Sequence, residues 1–423
     1  MKFNKIKSLL TSGLSYILFG NFLSKFVALL SSVLVVRLVD KAEYAYLSYA
    51  DNLYSYIGLF TGLGLASALL ITCTPDVSLG KQRAYLNKAL LYGGLFELLA
   101  ALALCAVTQA VNIPFAEARK YIWLLLFYPM LTYLLNALQA FTRVKRNNRR
   151  YAVLGAVHTI AVCVVNVILV LLIGTTGVVF SRYLAVFLVI FLAAKYVASV
   201  NSGIRRETLS RTEVRSFLST AIAMMLANLF SGIMPINEAF IVNNLIQDEV
   251  ITANFKVAGI IPSMLPIITS SVMVYYFPII AGMKHTPQVK RKVLQVAAIN
   301  GIIIIGVTAI GMLLTPFGIT LVYGHKYADS ISLSYPLWIM RAVNAAFRMV
   351  PLNVLPAMGR SKFNAVVSVC TCIVHAILDY LFISWWNVRG IAYAAIIVYI
   401  LSGCALWIYF IKTCPKKQEG ASV

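Results

Sequence analysis

Twelve apolar runs, each long enough to cross a bilayer as a helix, follow one another along the chain. The 423 residues are 61% hydrophobic and 12% charged, about half the charge of an average soluble domain, which excludes a soluble enzyme. The first six runs are 14–36, 45–72, 87–110, 119–142, 151–173 and 177–199. The second six are 216–246, 251–282, 294–321, 330–358, 363–386 and 390–412. The sequence therefore predicts an all-α polytopic membrane protein with about twelve transmembrane helices.

The distribution of basic residues supports this number of spans. When the spans alternate in direction, 25 of the 36 Lys and Arg residues fall on one side, 6 on the other and 5 within the spans. Basic loops are retained on the cytoplasmic side of a membrane, so both termini are predicted to be cytoplasmic. Loops that face anionic lipid also account for the net charge of +22, and no nucleic-acid partner is predicted.

The two sets of six runs contain an internal repeat. The fourth run ends in Asn136–Lys145 and the tenth in Asn353–Lys362, and both segments read N-x-L-x-A-x-x-R-x-K, 217 positions apart. Asn21 followed by Ser24 in the first run recurs as Asn228 followed by Ser231 in the seventh, 207 positions apart. Agreement at equivalent places in both sets indicates a duplicated unit.

The repeat predicts an N-terminal lobe over residues 1–200, a basic cytoplasmic linker over 201–215 and a C-terminal lobe over 216–423. Because each lobe has an even number of spans, the repeats are parallel and related by an axis along the membrane normal. Parallel repeats suit alternating access, in which two lobes move about a central site. A repeat is also compatible with a channel or a scaffold, but a transporter is the expected function.

Several segments resemble the multidrug/oligosaccharidyl-lipid/polysaccharide (MOP) exporter superfamily, in particular its polysaccharide branch. They are Gly20-Asn21-Phe-Leu-Ser24-Lys25 in span one, the stretch from Arg37 to Gly64 that links spans one and two, and the two repeated helix ends. The resemblance covers essentially the whole chain and rests on pattern and organisation.

The resemblance implies a MATE-like, V-shaped bundle of two six-helix lobes around a central cavity. It implies a flippase, not an enzyme, that moves an undecaprenyl-diphosphate-linked oligosaccharide from the cytoplasmic to the periplasmic leaflet of the bacterial inner membrane. The cargo would be an O-antigen, capsule or exopolysaccharide repeat unit. Membrane lipids, a polysaccharide polymerase and a chain-length regulator are the implied partners, and coupling to Na⁺ or H⁺ is implied without a cofactor.

Two other functions remain open from the sequence. One is a multidrug or cation exporter of the same superfamily, which would need an anionic, aromatic cavity. The other is a membrane polysaccharide polymerase or acyltransferase, although the predicted outer loops are short and lack a Ser/His/Asp or Arg-rich set. No P-loop and no metal-ligand spacing occurs in the sequence, so no metal site is predicted.

Basic residues inside the spans are candidates for binding the diphosphate, because a charge at the bilayer centre normally faces a wet cavity or a partner. Arg341, Asn344 and Arg348 recur at helical spacing on one face of span ten. The two guanidinium groups suit a pyrophosphate, with Asn344 lining the cavity. Alternatively, the arginines pair with acids on neighbouring helices, or one of them lies near the lipid headgroups.

Lys25 and Lys256 are the other two candidates. The resemblance implies that Lys25 contacts the diphosphate, with Asn21 one turn earlier and Asp51 also lining the cavity, although a Lys25–Asp51 salt bridge is an alternative. Lys256 precedes Pro262 and Pro266, which predict a kink in span eight.

The carboxylates of the second half are candidates for coupling. His375 lies one turn before Asp379 in span eleven, and Glu238 follows Pro235 in span seven. In some relatives a coupling cation binds between helices seven and eleven, so Glu238, His375 and Asp379 are predicted to couple transport to H⁺ or Na⁺. Alternatively, the two acids are counter-ions for Arg341, Arg348 or Lys256.

Two further charged residues are assigned structural positions. Arg182 lies five residues after Gly177, so its side chain is predicted to extend to the membrane surface. Glu97 has no partner that the sequence identifies and is predicted to be a satisfied core or interface residue.

Overall fold

The computed structural model describes residues 13–73, 77–205, 207–282, 287–358 and 360–414. In those ranges the chain is helical and contains no β-strand, as predicted.

Within the described residues, the first half of the chain contains eight helices. They are α1 (Gly13–Leu38), α2 (Lys41–Phe60), α3 (Leu65–Thr72), α4 (Leu79–Ala110), α5 (Ala118–Leu124), α6 (Tyr128–Val144), α7 (Asn148–Ile173) and α8 (Thr175–Val200). Polar caps fix two of the starts, because Asp40 accepts a hydrogen bond from the N–H of Ala42 and Ser78 accepts one from Lys81.

The described residues of the second half form another eight. They are α9 (Arg211–Ile246), α10 (Glu249–Ile260), α11 (Leu265–Gly282), α12 (Pro287–Tyr323), α13 (Ser330–Val343), α14 (Met349–Ala357), α15 (Ser361–Trp386) and α16 (Arg389–Thr413). A 3₁₀ turn, Pro262–Met264, separates α10 from α11, and a π-helical segment, Asn344–Arg348, joins α13 to α14.

The described helices fall into the twelve predicted stretches, four of which are interrupted. By length and apolar character alone, seven helical segments in the described residues could each cross a membrane, when α2 and α3 are counted together as one. The number is nine if two bent pairs each count as one span. One bent pair is α5 with α6, at 41°, and the other is the predicted kink at Pro262, at 42°. The chain is therefore a multi-pass, all-α membrane protein.

Contacts divide the chain into two compact units, Met1–Gly232 and Ile233–Val423. The boundary falls inside α9, so this helix contributes its first part to unit 1 and its last part to unit 2. The division does not test the predicted lobes of 1–200 and 216–423, which stay a prediction. Each unit has an apolar core of its own, centred on Leu65, Leu135 and Phe141 in unit 1 and on Val293, Val354 and Leu406 in unit 2.

The two units share one packing pattern. In unit 1, α4 packs on α6, α6 on α8, α7 on α8, α2 on α5 and α3 on α6. In unit 2 the equivalent pairs are α12 with α13, α13 with α16, α15 with α16, α10 with α13 and α11 with α14. The interruptions also correspond, since the second and fourth spans of both units are broken. This agreement supports the duplication inferred from the sequence.

The corners α7–α8 and α15–α16 have nearly the same backbone geometry and a glycine at the same position. Gly174 (φ 61, ψ −145) and Asn387 (φ 53, ψ −150) have nearly the same backbone conformation, and each precedes a glycine by three positions. A Cβ on either of those glycines, Gly177 or Gly390, would collide with a backbone carbonyl of the preceding helix. Only glycine allows the two helices to approach this closely.

Candidate functional site

Unit 2 contains a buried cluster of charged side chains contributed by α9, α13, α15 and α16. Nη2 of Arg341 donates to Oε2 of Glu238 at 2.9 Å, and the hydroxyl of Tyr399 donates to Oε1 of the same carboxylate at 3.3 Å. Nε2 of His375 lies 3.8 Å from Oε1 of Glu238, and Nδ1 lies 2.7 Å from Oδ2 of Asp379. The structure thus brings together the three residues predicted for coupling and one predicted diphosphate ligand.

Helical spacing explains half of this arrangement. His375 and Asp379 are four residues apart on α15, so they lie one above the other on the face that packs on α16. Both side chains are almost fully buried, with exposed fractions of 1% and 0%. Oδ2 of Asp379 thus has the imidazole of His375 as its partner, whereas Oδ1 has no hydrogen-bond partner within the described ranges.

A buried carboxylate that faces a neutral imidazole is costly while it is ionised. Gain of a proton, or of a cation, removes that cost. Asp379 and its neighbours therefore form a group that can change charge state inside the fold. Across the residues that the structure describes, no set of three or more His, Cys, Asp or Glu side chains could hold a metal ion.

Arg348 lies at the end of the π-helical segment and has no acidic partner among the described residues. Its side chain is over the Tyr399 ring, with the guanidinium carbon 5.4 Å from the ring centroid, and Nη1 is 3.4 Å from Oδ1 of Asn344. Nε has no hydrogen-bond partner there, and the residue is only 8% exposed. Arg348 is thus a buried cation compensated by a ring and a neutral amide, at a π-segment of the kind often found at functional sites.

Unit 1 encloses a cavity of about 530 Å³ whose wall carries a neutralised ion pair. The guanidinium of Arg182 on α8 bonds both oxygens of Asp51 on α2, at 2.5 and 2.8 Å, and lies 5.9 Å from the ring centroid of Tyr128. Tyr54 and Asn136 also line this cavity. The prediction that Arg182 extends to the membrane surface is wrong, because Asp51, 131 positions away in sequence, provides a partner within the fold.

A break in the second span adds a further acid to the same cavity. Residues 61–64 all have positive φ, which ends α2 and separates it from α3. The freed N–H of Gly62 donates to Oε1 of Glu97 at 2.6 Å. Glu97 is therefore a satisfied buried residue, as predicted, and its partner is a backbone group that no sequence pattern indicates.

Four other predicted site residues are on α1, α10 and the π-helical segment. α1 carries Asn21 and Lys25, but their side chains lie outside the described residues. Lys256 is on α10 with its side chain exposed, and Asn344 is half-buried beside Arg348. The Arg341–Glu238 contact shows that internal pairing, one of the alternatives predicted for Arg341, occurs in this structure.

Comparisons with known proteins agree with this architecture. No family model matches the chain. A candidate O-antigen transporter of Shigella flexneri is 26% identical over 188 residues, which is 44% of this chain and 44% of that protein. The matched segment is thus less than half of the curated relative.

Solved structures match over nearly the full length. The lipid II flippase MurJ in an inward closed conformation superposes with a TM-score of 0.79, at 13% identity, over 94% of this chain and 87% of that one. An inward-facing multidrug resistance MATE family transporter of the MOP superfamily superposes with a TM-score of 0.65, at 16% identity, over 93% and 96%. The chain therefore has the fold of MOP superfamily transporters. The proteins found in these comparisons are transporters and flippases, not enzymes.

Proposed function

We propose that this protein is a flippase for lipid-linked oligosaccharides. It moves an undecaprenyl-diphosphate-linked O-antigen, capsule or exopolysaccharide unit from the cytoplasmic to the periplasmic leaflet of a bacterial inner membrane by alternating access. The likeness to the Shigella flexneri protein and the fold shared with MurJ support this function. The duplicated packing of the two units supports a mechanism of the alternating-access type.

The observation that carries the proposal is the buried guanidinium of Arg348, which has no acidic partner among the described residues. A buried guanidinium without an acidic partner is unfavourable for folding, and intramembrane charges of this kind usually mark a substrate pathway. The planar fork of Arg forms paired hydrogen bonds with phosphate oxygens. An anionic cargo would compensate the positive charge of Arg348, which no acidic side chain among the described residues does. A diphosphate linker carries the negative charge that this requires.

The other basic residues assist Arg348 in this proposal. Lys25, Lys256 and Arg341 contribute to binding the diphosphate, with Asn21, Asp51 and Asn344 lining the path. Arg341 is held by Glu238 in this structure, so it would reach the cargo only after that contact weakens.

The acid cluster provides a means of coupling. A proton that enters at Asp379, His375 or Glu238 reduces the negative charge facing Arg341. The guanidinium is then free to bind phosphate, and loss of the proton restores the Arg341–Glu238 contact and releases the cargo. In this scheme the proton moves between carboxylates and imidazole, and no bond of the cargo is broken.

A multidrug exporter is the second candidate, favoured by the two carboxylates and several tyrosines of the unit 1 cavity. Asp51 is neutralised by Arg182, however, and Glu97 is bonded to Gly62. The cavity therefore lacks the free negative charge that attracts a cationic drug, and the flippase is the better supported function.

The proposal is tested by deleting the gene in its bacterium and complementing with wild type, Arg348→Ala or Arg348→Lys. The control is Arg149→Ala, which removes one exposed basic side chain. Undecaprenyl-diphosphate-linked glycans are then quantified in each leaflet. We expect accumulation in the cytoplasmic leaflet in the deletion strain and with Arg348→Ala, partial export with Arg348→Lys, and full export with the control.

Three results would contradict the proposal. Unchanged pools of lipid-linked glycan after deletion would exclude a flippase. Accumulation already accessible from the periplasm would indicate a polymerase or ligase acting later. Loss of drug resistance without glycan accumulation would favour the multidrug exporter.

A further inference from the structure

The segment between α8 and α9 packs on the first turns of α4. Nη1 of Arg83 donates to the carbonyl of Ile204 at 2.7 Å, and Oγ of Ser78 donates to Oε1 of Glu207 at 2.6 Å. Nζ of Lys81 donates to Oε1 of Glu213, also at 2.7 Å. The segment is thus fixed to unit 1 at the end of the bundle that the distribution of basic residues predicts to be cytoplasmic.

Both acids of this segment are already bonded. Glu213 and Ser210 form a capping box, in which Ser210 N–H donates to Oε2 of Glu213 and Glu213 N–H donates to Oγ of Ser210. The hydrogen bond from Lys81, followed by those from Ser210, lowers the pKa of Glu213 to about 2. Glu207 and Glu213 are therefore directed toward the start of α4.

A cavity of about 610 Å³ lies beside them, between α4 and the first turns of α9. Lys88, Arg211 and Arg215 all line it, together with Ser219. Lys88 donates to the hydroxyl of Tyr92 at 3.0 Å. None of the three cations forms a salt bridge with an acid within the described part of the chain.

The same cavity has an apolar side. Leu218 and Ile222 line it, and a neighbouring cavity of about 700 Å³ that shares Lys88 also includes Leu91 and Glu207, whose carboxylate accepts the hydrogen bond from Ser78. Leu91 and Ile222 are 61% and 47% exposed. Three unneutralised cations next to exposed aliphatic side chains, at the end of membrane-spanning helices, match a molecule with an anionic head and hydrocarbon tails.

We propose that this cavity binds one anionic phospholipid of the surrounding leaflet. The phosphodiester lies among Lys88, Arg211 and Arg215, and the acyl chains follow Leu91 and Ile222. The cytoplasmic leaflet supplies anionic lipid, and basic pockets at helix ends retain such headgroups. Arg211 and Arg215 are in the first turns of α9, where a bound anion also compensates the positive end of the helix dipole. The proposal does not depend on what the protein transports.

Native mass spectrometry of the full-length protein in neutral detergent tests this site. Phosphatidylglycerol and phosphatidylcholine are added at equal concentrations, with inorganic phosphate and glycerol phosphate as separate headgroup probes. The site variant is Lys88→Gln/Arg211→Gln/Arg215→Gln. The control, Arg149→Gln/Lys195→Gln/Arg291→Gln, removes three exposed basic side chains elsewhere, on the same predicted side. Arg215→Gln alone replaces the triple variant if that one does not fold.

We expect wild type and control to retain one phosphatidylglycerol in preference to phosphatidylcholine. The site variant should lose about tenfold or more in affinity, and Arg215→Gln should lose less. An equal loss in the control, or equal retention of phosphatidylcholine, would overturn the proposal. Binding of inorganic phosphate as tightly as of phosphatidylglycerol would also overturn it, since the cavity would then be an anion site and not a lipid site. If the cavity binds no lipid, glycan export by the wild-type protein is unaffected. This result is therefore distinguishable from failure of the flippase proposal.

Discussion

The two units share one pattern of helix packing but differ in how their buried charges are compensated. In unit 1, Arg182 and Asp51 neutralise each other through two hydrogen bonds on the wall of a cavity. In unit 2, Arg341 is paired with Glu238 and Asp379 with His375, but Arg348 has no acidic partner among the described residues. Duplication thus preserved the scaffold while one unit retained uncompensated charge, and that unit is where substrate binding and coupling are proposed.

A cation–π contact between the fourth and sixth spans of each unit illustrates the same divergence. In unit 1 the arginine is on the sixth span and the ring on the fourth, as Arg182 over Tyr128. In unit 2 the arrangement is reversed, with Arg348 on the fourth span of the unit and Tyr399 on the sixth. The packing therefore conserves the contact and not the position of the charge.

The largest effect is expected from removing one member of the buried pair in unit 2. Glu238→Leu should lower the free energy of unfolding by about 3–5 kcal/mol, because Arg341 would stay buried without its counter-ion. Adding Arg341→Met should restore most of that stability. Glycan export should be lost in both the single and the double variant. Unfolding in mixed micelles measures the stability. Equal stability of the single variant and wild type would show that this pair is not buried as described.

The contrast between the two units is sharpened by replacing one arginine in each. Arg182→Met should cost about 2 kcal/mol, because Asp51 loses its two charged hydrogen bonds. Arg348→Met should leave the melting temperature unchanged or raise it, because it removes an uncompensated buried charge, yet it should abolish export. A fall in melting temperature as large for Arg348→Met as for Arg182→Met would remove the proposed difference between the units.

A smaller and equal effect is expected where the units are alike. Gly177→Ala and Gly390→Ala should each lower stability by about 1–3 kcal/mol, since the added Cβ meets a carbonyl of the preceding helix. Gly306→Ala is the matched control, because the space around that helical glycine is open. Markedly unequal values for the two corner variants would argue against equivalent corners in the two units.

The smallest effect concerns a pair outside the membrane-spanning segments. The pKa of Glu213 is lowered to about 2, chiefly by Lys81. The resulting stabilisation is present above the ordinary carboxylate pKa and is lost as pH falls through about 2. The melting temperature of wild type should therefore exceed that of Glu213→Gln slightly at about pH 6, and the difference should shrink toward about pH 3. A difference that grows on acidification would have the wrong sign.

Local pattern predicts much of this molecule. Apolar runs and basic loops give the spans, and the kink at Pro262 follows from proline chemistry. The i, i+4 spacing of His375 and Asp379 is enough by itself to place imidazole and carboxylate on one face of a helix.

Partners on distant helices could not be predicted in the same way. Asp51 and Arg182 are 131 positions apart, and the sequence suggested Lys25, not Arg182, as a partner for Asp51. The π-segment between Arg341 and Arg348 also has no sequence signature, although it interrupts the regular spacing of that helix. Arg341 and Arg348 consequently have different partners, where regular spacing predicted one shared role.

The most direct test uses purified protein in liposomes that contain an undecaprenyl-diphosphate-linked oligosaccharide. The fraction of glycan in each leaflet is followed over time for wild type, Arg348→Ala and Arg149→Ala. We expect transfer by wild type and Arg149→Ala, and none by a correctly folded Arg348→Ala. Equal transfer by all three proteins would contradict the role of Arg348, and absence of transfer by wild type would contradict the flippase itself.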